Sequence, residues 1–96
     1  GDLFMMRMES RVVETSGVKD AFFCFVPDRE NEGFFVPYLY VVLDEGECLE
    51  NVKMQILKKL EPHEYPVEIR VIKERPYFHF KLNRKELIAE ILEKNT

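Results

Sequence analysis

The side chains that could do chemistry are few, and they gather toward the C-terminal end. Lys81, Arg84 and Lys85 form the densest basic stretch of the chain. A lysine or arginine so placed can offset negative charge on a phosphate or carboxylate, or it can be a solvated surface cation. At a helix start a cation is mildly disfavoured by the dipole, so Arg84 and Lys85 call for a nearby carboxylate, a partner surface or plain solvent. Just before them runs Pro76-Tyr77-Phe78-His79-Phe80, a proline-led aromatic segment. So small a domain has little room to bury it, and an exposed apolar patch commonly marks an interface. His63 and His79 stand at no metal-ligand spacing with a cysteine or a carboxylate pair. Glu61, His63 and Glu64 share a proline-bounded loop that reads as solvated. Cys24 lies in an apolar run and Cys48 near a helix start, without the spacing of a disulfide framework or a zinc motif. Neither cysteine has an identifiable base, and no serine is placed for nucleophilic attack. A self-sufficient enzyme would need a catalytic constellation, and these residues do not form one.

The bulk properties bound the rest. The chain has 96 residues, eight Phe, four Tyr and a net charge of −4. That length predicts one domain spanning the whole chain, burying somewhat over ~60% of its unfolded surface, with one core and no deep enclosed cavity. Mixed charge with a net acidic balance argues against nucleic-acid binding. No apolar run reaches membrane-spanning length, and the N-terminus carries no signal-peptide pattern. Two isolated cysteines fit a reducing, cytoplasmic setting.

Periodicity supplies the elements that must position these side chains. Met5, Met8 and Val12 predict an amphipathic helix from about Leu3 to Thr15, ended by Ser16-Gly17. Ala21 to Val26 reads as a strand buried on both faces. Phe34 to Leu43 is a second strand, and because Pro37 cannot donate to a ladder its start should lie at an edge or a bulge. Leu49, Val52, Ile56 and Leu60 follow helical spacing until Pro62. Val67, Ile69 and Val71, alternating with Glu68, Arg70 and Ile72, predict a half-buried strand. Tyr77 to Leu82 is a short extended segment, and Leu87, Ile88, Ile91 and Leu92 stripe a last helix from about Arg84 to Lys94. The expected fold is α+β: about three strands with three helices packed on them, in the order α-β-β-α-β-(short extended segment)-α.

Several of these segments are similar to the C-terminal domain of the AMP-forming, or adenylate-forming, ligase superfamily. That group includes acyl-CoA synthetases, aryl and aminoacyl carrier-protein ligases and the adenylation domains of peptide synthetases. Val26-Pro27-Asp28, a charged loop, Gly33 and the strand Leu39-Tyr40-Val41-Val42-Leu43 resemble the family's V-P-D, G-E and A-F-V-V-L stretch. Leu60-Glu61-Pro62-His63-Glu64-Tyr65-Pro66 matches its L-x-P-x-x-x-P. Pro76 to Leu87 resembles its closing P-x-T-x-x-G-K-[IV]-x-R-x-x-L, with Lys81 at the lysine and Leu82, Arg84 and Leu87 downstream. The order and approximate spacing hold over roughly Glu9 to Leu92. Two departures stand out. Phe78-His79-Phe80 replaces the T-x-x-G and is one residue shorter, and the hinge stretch that precedes the family's first helix is missing, as is the large N-terminal domain.

The resemblance implies a mobile lid. In the family the lysine at the position of Lys81 reaches between the carboxylate of the acid substrate and the α-phosphate of ATP during adenylation. Lys81 is then the expected catalytic residue, and Tyr77, Phe78, His79 and Phe80 the expected docking surface for the large domain. ATP with Mg²⁺ would be bound mainly by that large domain, and CoA or a carrier-protein phosphopantetheine would take the acyl group. The alternative is a non-catalytic interaction or ligand-binding domain, a degenerate relative of the lid that has lost the glycine loop.

Overall fold

The structure is a computed structural model that describes residues 2–78 and 81–94. Its centre is a pair of antiparallel strands, β1 (Val18–Pro27) and β2 (Phe35–Leu43), with Phe22 opposite Tyr40 and Phe23 opposite Leu39. β1 extends beyond the expected apolar run at both ends. Within that run, alternation sends Ala21 and Phe23 to one face and Phe22, Cys24 and Val26 to the other, and all five are buried. An extra residue sits at Lys19, because Val18 lies opposite Leu43 while Asp20 lies opposite Val42. This bulge shifts the phase of the strand, so Val18 joins the face of Phe23 rather than that of Phe22.

The strand β3 (Glu68–Val71) pairs parallel to β2, from Tyr38↔Glu68 to Val41↔Val71, which makes β2 the central strand. Parallel neighbours need a crossover, and α2 (Leu49–Lys58) supplies it. Pro37 precedes the β2–β3 ladder, and its carbonyl accepts the Val67 N–H at 2.9 Å. A residue's N and C=O point to the same side of a strand, so the donor that Pro37 lacks would face the β3 side, just before that ladder begins, in a strand that is central and not at the sheet edge. β3 is less buried than its alternation predicts. Ile69 packs on the core, but Val67 and Val71 are 58% and 49% exposed. A sheet edge covered by no further strand leaves them open.

Three layers result. On one face, α1 (Asp2–Val13) and α2 cover the sheet with Met8, Val12, Val52 and Ile56, and Leu60 follows just past α2. On the other, α3 (Arg84–Lys94) lays Leu87 and Ile91 over Phe22, Cys24, Val26, Tyr38 and Tyr40. Phe22 and Tyr40 stack there, with ring centroids 5.1 Å apart. The short extended segment before α3 is a hairpin separate from the main sheet, of β4 (Tyr77–Phe78) and β5 (Lys81–Leu82). The α+β class and the element order agree with the sequence reading.

Candidate functional site

Lys81 lies on the returning strand of this hairpin, opposite Phe78, and Tyr77 lies opposite Leu82. His79 and Phe80, together with the side chains of Phe78 and Lys81, lie outside the described residues. The feet of the hairpin are joined by the Asn83 N–H, which donates to the Pro76 carbonyl at 3.0 Å. Asn83 then starts α3. Its side-chain oxygen accepts the Glu86 N–H at 3.2 Å, and its amide nitrogen donates to Glu86 Oε2 at 2.6 Å. Asparagine suits that place because a short polar side chain can satisfy an orphan amide of the first turn. Leu82 packs beside Leu87 and Ile91. The backbone at Lys81 is thus held within three residues by a helix start and an apolar anchor.

The feet are also tied to the outer edge of β1, the side away from β2. Arg75, on the incoming foot, grips Asp20 with both ends of its guanidinium: Nε to Oδ2 at 2.7 Å and Nη2 to Oδ1 at 2.8 Å. Its Nη2 also donates to the Ala21 carbonyl at 3.0 Å, and the group lies 5.1 Å from the Phe22 ring centroid. Arg84, on the outgoing foot, donates from Nε to the Phe23 carbonyl at 3.2 Å and approaches Glu9 Oε2 at 3.7 Å. Glu9 in turn accepts the Phe23 N–H at 2.8 Å. Two arginines therefore take alternate carbonyls of one strand edge, and a carboxylate from α1 takes the amide between them. The hydrogen bond from Arg75 holds the Asp20 carboxyl below its ordinary range, and Arg75 is raised in return by Asp20. Both groups stay ionised across neutral pH.

The other sequence candidates fall as follows. Arg84 finds the carboxylate that a cation at a helix start calls for, whereas Lys85 is exposed. Tyr77 is 60% exposed. His63 is exposed in the turn Pro62–Glu64, and its neighbour Glu64 is buried rather than solvated. Burial pushes the Cys24 thiol up to about 11, which makes it a poor nucleophile. The V-P-D loop is closed by Asp28, whose Oδ1 accepts the Glu30 N–H and whose Oδ2 accepts from Asn31, each at 3.0 Å. Arg29 ties this loop to α3 by donating to the Leu92 carbonyl. Sequence reasoning missed Asp20, Arg75 and Glu9, because partners 55 and 14 residues apart leave no periodic signal.

Among the described residues no group of three or more His, Cys, Asp or Glu could hold a metal ion. Nor is any helix there long and apolar enough to cross a membrane. What the arrangement offers is a short hairpin, tied at both feet to β1, whose returning strand carries Lys81.

No protein-family profile matches the chain, and neither does any curated protein. Solved structures do. An acyl-CoA synthetase from Brucella canis superposes with a TM-score of 0.74 at 24% identity, over 96% of this chain and 18% of that one. Apo MatB from Rhodopseudomonas palustris gives 0.76 at 18% identity, over 97% and 19%. A benzoate CoA ligase from Burkholderia xenovorans gives 0.67 at 24% identity, over 86% and 18%. The chain spans less than a fifth of the length of each. It has the fold of the C-terminal domain of the AMP-forming ligases.

Proposed function

We propose that this chain is the C-terminal lid of an ATP-dependent, AMP-forming ligase that joins a carboxylic acid to a thiol, and that Lys81 serves its adenylation step. The observation that carries the reading is the fold match over nearly the whole chain, and the sequence resemblance suggests Lys81 as the counterpart of the family's lysine. The partner in this reading is a large domain holding the acid and ATP with its Mg²⁺, which is supported by the chain spanning less than a fifth of the ligases it resembles. The Lys81 ammonium would lie between the acid carboxylate and the α-phosphate. There it would offset the repulsion of two anions and stabilise charge gathering on phosphorus. A compact cation on a long stem suits reaching from one domain into another. Rotation of the lid would then turn a different face to the adenylate for attack by the thiol of CoA or of a phosphopantetheine arm. The free cysteines fit a cytoplasmic setting.

The test is Lys81→Ala in the full-length protein, read by acid-dependent exchange of pyrophosphate into ATP. The expected loss is about 10²-fold or more, the scale of removing one preorganised electrostatic donor. Unchanged exchange rejects Lys81. A second reading, a non-catalytic interaction or ligand-binding domain, is favoured by one feature. Phe78-His79-Phe80 stands where the family has a glycine that brings backbone close to the nucleotide. Under that reading the unsubstituted full-length protein shows no acid-dependent exchange.

A further inference from the structure

A lysine that works by reaching into another domain's site is only as useful as the aim of the segment that carries it, because a misplacement of about 1 Å can cost about 10²-fold in rate. The hairpin of Lys81 is two residues wide on each strand, joins no larger sheet and is separate from the β1–β2–β3 ladder. Such a hairpin is marginal alone. Its orientation must come from its feet. The outgoing foot is fixed redundantly, by Leu82 in the apolar layer, by the start of α3 and by Arg84 on the Phe23 carbonyl. The incoming foot has the backbone bond between Asn83 and Pro76, and beyond that the fork of Arg75 on Asp20 and the Ala21 carbonyl. Asp20 is itself placed by the bulge at Lys19, on the outer edge of the strand buried on both faces.

We infer that Arg75 and Asp20 are a positioning pair, which sets the angle at which the hairpin presents Lys81 to the adenylation site. The inference rests on the ligase reading above. A bidentate arginine–carboxylate pair fixes direction as well as distance, which one hydrogen bond does not. Neither residue touches the reacting atoms in this account. They act through the hairpin, as two members of one unit. Glu9 and Arg84 hold the neighbouring amide and carbonyl of β1, on the same edge to which the pair is anchored.

The experiment uses the full-length protein with Arg75→Gln, Asp20→Asn and the two combined. Two quantities are read: amide hydrogen exchange across residues 76–83, and the kcat and KM of acid-dependent pyrophosphate exchange. Each single substitution is expected to speed amide exchange in that segment about tenfold, leave the amides of β2 unchanged, and lower kcat about tenfold with KM for ATP and acid unaltered. The double variant should be no worse than either single one, because removing either partner already breaks the unit. Arg75→Lys, which keeps the charge but not the fork, should recover only part of the loss. Unchanged amide exchange over 76–83, independent losses that add, or a raised KM with kcat intact would each overturn the inference. A full-length protein without acid-dependent exchange overturns the ligase reading and the catalytic role of the pair, whereas the amide data still show whether the pair holds the hairpin.

Discussion

Glu64 shows how far a single residue can depart from its look in the sequence. Flanked by His63 and Tyr65 in a proline-bounded turn, it reads as a solvated carboxylate, yet its side chain is only 5% exposed. Its Oε2 accepts from Arg11 at 2.8 Å and its Oε1 accepts the Glu61 N–H at 2.8 Å, while Arg11 also donates to the Lys59 carbonyl at 2.9 Å. The pair therefore ties α1 to the end of α2 and to the turn before β3. The Arg11 hydrogen bond holds the Glu64 carboxyl below its ordinary value. A group whose folded pKa is depressed contributes stability that is fully present above its unfolded pKa, near ~4.3, and lost as pH falls through the folded value. Glu64→Gln should lower stability by about 1–2 kcal/mol at neutral pH, seen as a lower urea midpoint with an unchanged slope. The gap between the two proteins should begin to narrow as pH falls through about 4.3, where the unfolded carboxyl takes up its proton before the native one does. A gap that stays constant from pH 7 to pH 3 would mean that the charge of Glu64 contributes nothing. Lys81 is the opposite case. It is singled out in the sequence by resemblance alone, whereas Arg11–Glu64 and Asp20–Arg75 leave no sign there, because pairs 53 and 55 residues apart exist only once the sheet has folded.

At the scale of elements, apolar periodicity told most and local backbone geometry told least. The stripe Leu87, Ile88, Ile91, Leu92 gave α3 its bounds, and the continuous run from Ala21 to Val26 gave a strand buried on both sides. The bulge at Lys19 was invisible, because an extra residue changes the register without changing the composition. The exposure of Val67 and Val71 was missed for a related reason. Alternation shows which faces of a strand are equivalent but not whether a layer covers them. Gly17 was expected to adopt a left-handed conformation after the first helix, and its φ is +95. It does more than turn the chain into β1. A Cβ at this position would meet Val52 Cγ1 at 3.0 Å and Glu47 Cγ at 3.1 Å, so α2 and the turn before it close directly over the glycine. Gly33, in the loop after the V-P-D segment, has φ +88 but nothing within 4 Å of an added Cβ. Gly33→Ala should therefore cost only the backbone penalty, about 1 kcal/mol. Gly17→Ala should cost that and the crowding against Val52, about 2–3 kcal/mol in all. Thermal unfolding of the two variants separates these terms, and equal losses would show that α2 moves aside freely.

For the whole molecule, the central question is whether a domain with two cores behaves as one body. The sheet divides the apolar interior, with Phe23, Leu39, Val41, Val52 and Ile56 toward α1 and α2, and Phe22, Tyr38, Tyr40, Leu87 and Ile91 toward α3. The layers are coupled through the strands themselves, since neighbouring residues of β1 and β2 point into opposite cores, and through Glu9 and Arg84, which reach the same peptide edge from α1 and α3. The apolar runs made the two-faced burial of β1 legible, but not which helix covers which face. That depends on the parallel return of β3 through α2, a pairing no local pattern encodes. A domain whose layers share their strands should unfold as one. Ile56→Val and Ile91→Val remove one methylene each from fully buried positions in the two cores. Each should cost about 0.5–1.5 kcal/mol. Since the two side chains share no cluster, their losses should add to within about 0.5 kcal/mol in the double variant. If the molecule is one cooperative body, aromatic fluorescence and backbone circular dichroism should report the same urea midpoint in all four proteins. Separate midpoints, with Ile91→Val shifting one and Ile56→Val the other, would mean that α3 and its hairpin can detach while β1–β2 and the opposite layer persist. The position of the Lys81 backbone would then follow a local equilibrium of the α3 layer, and reinforcing that layer would narrow it.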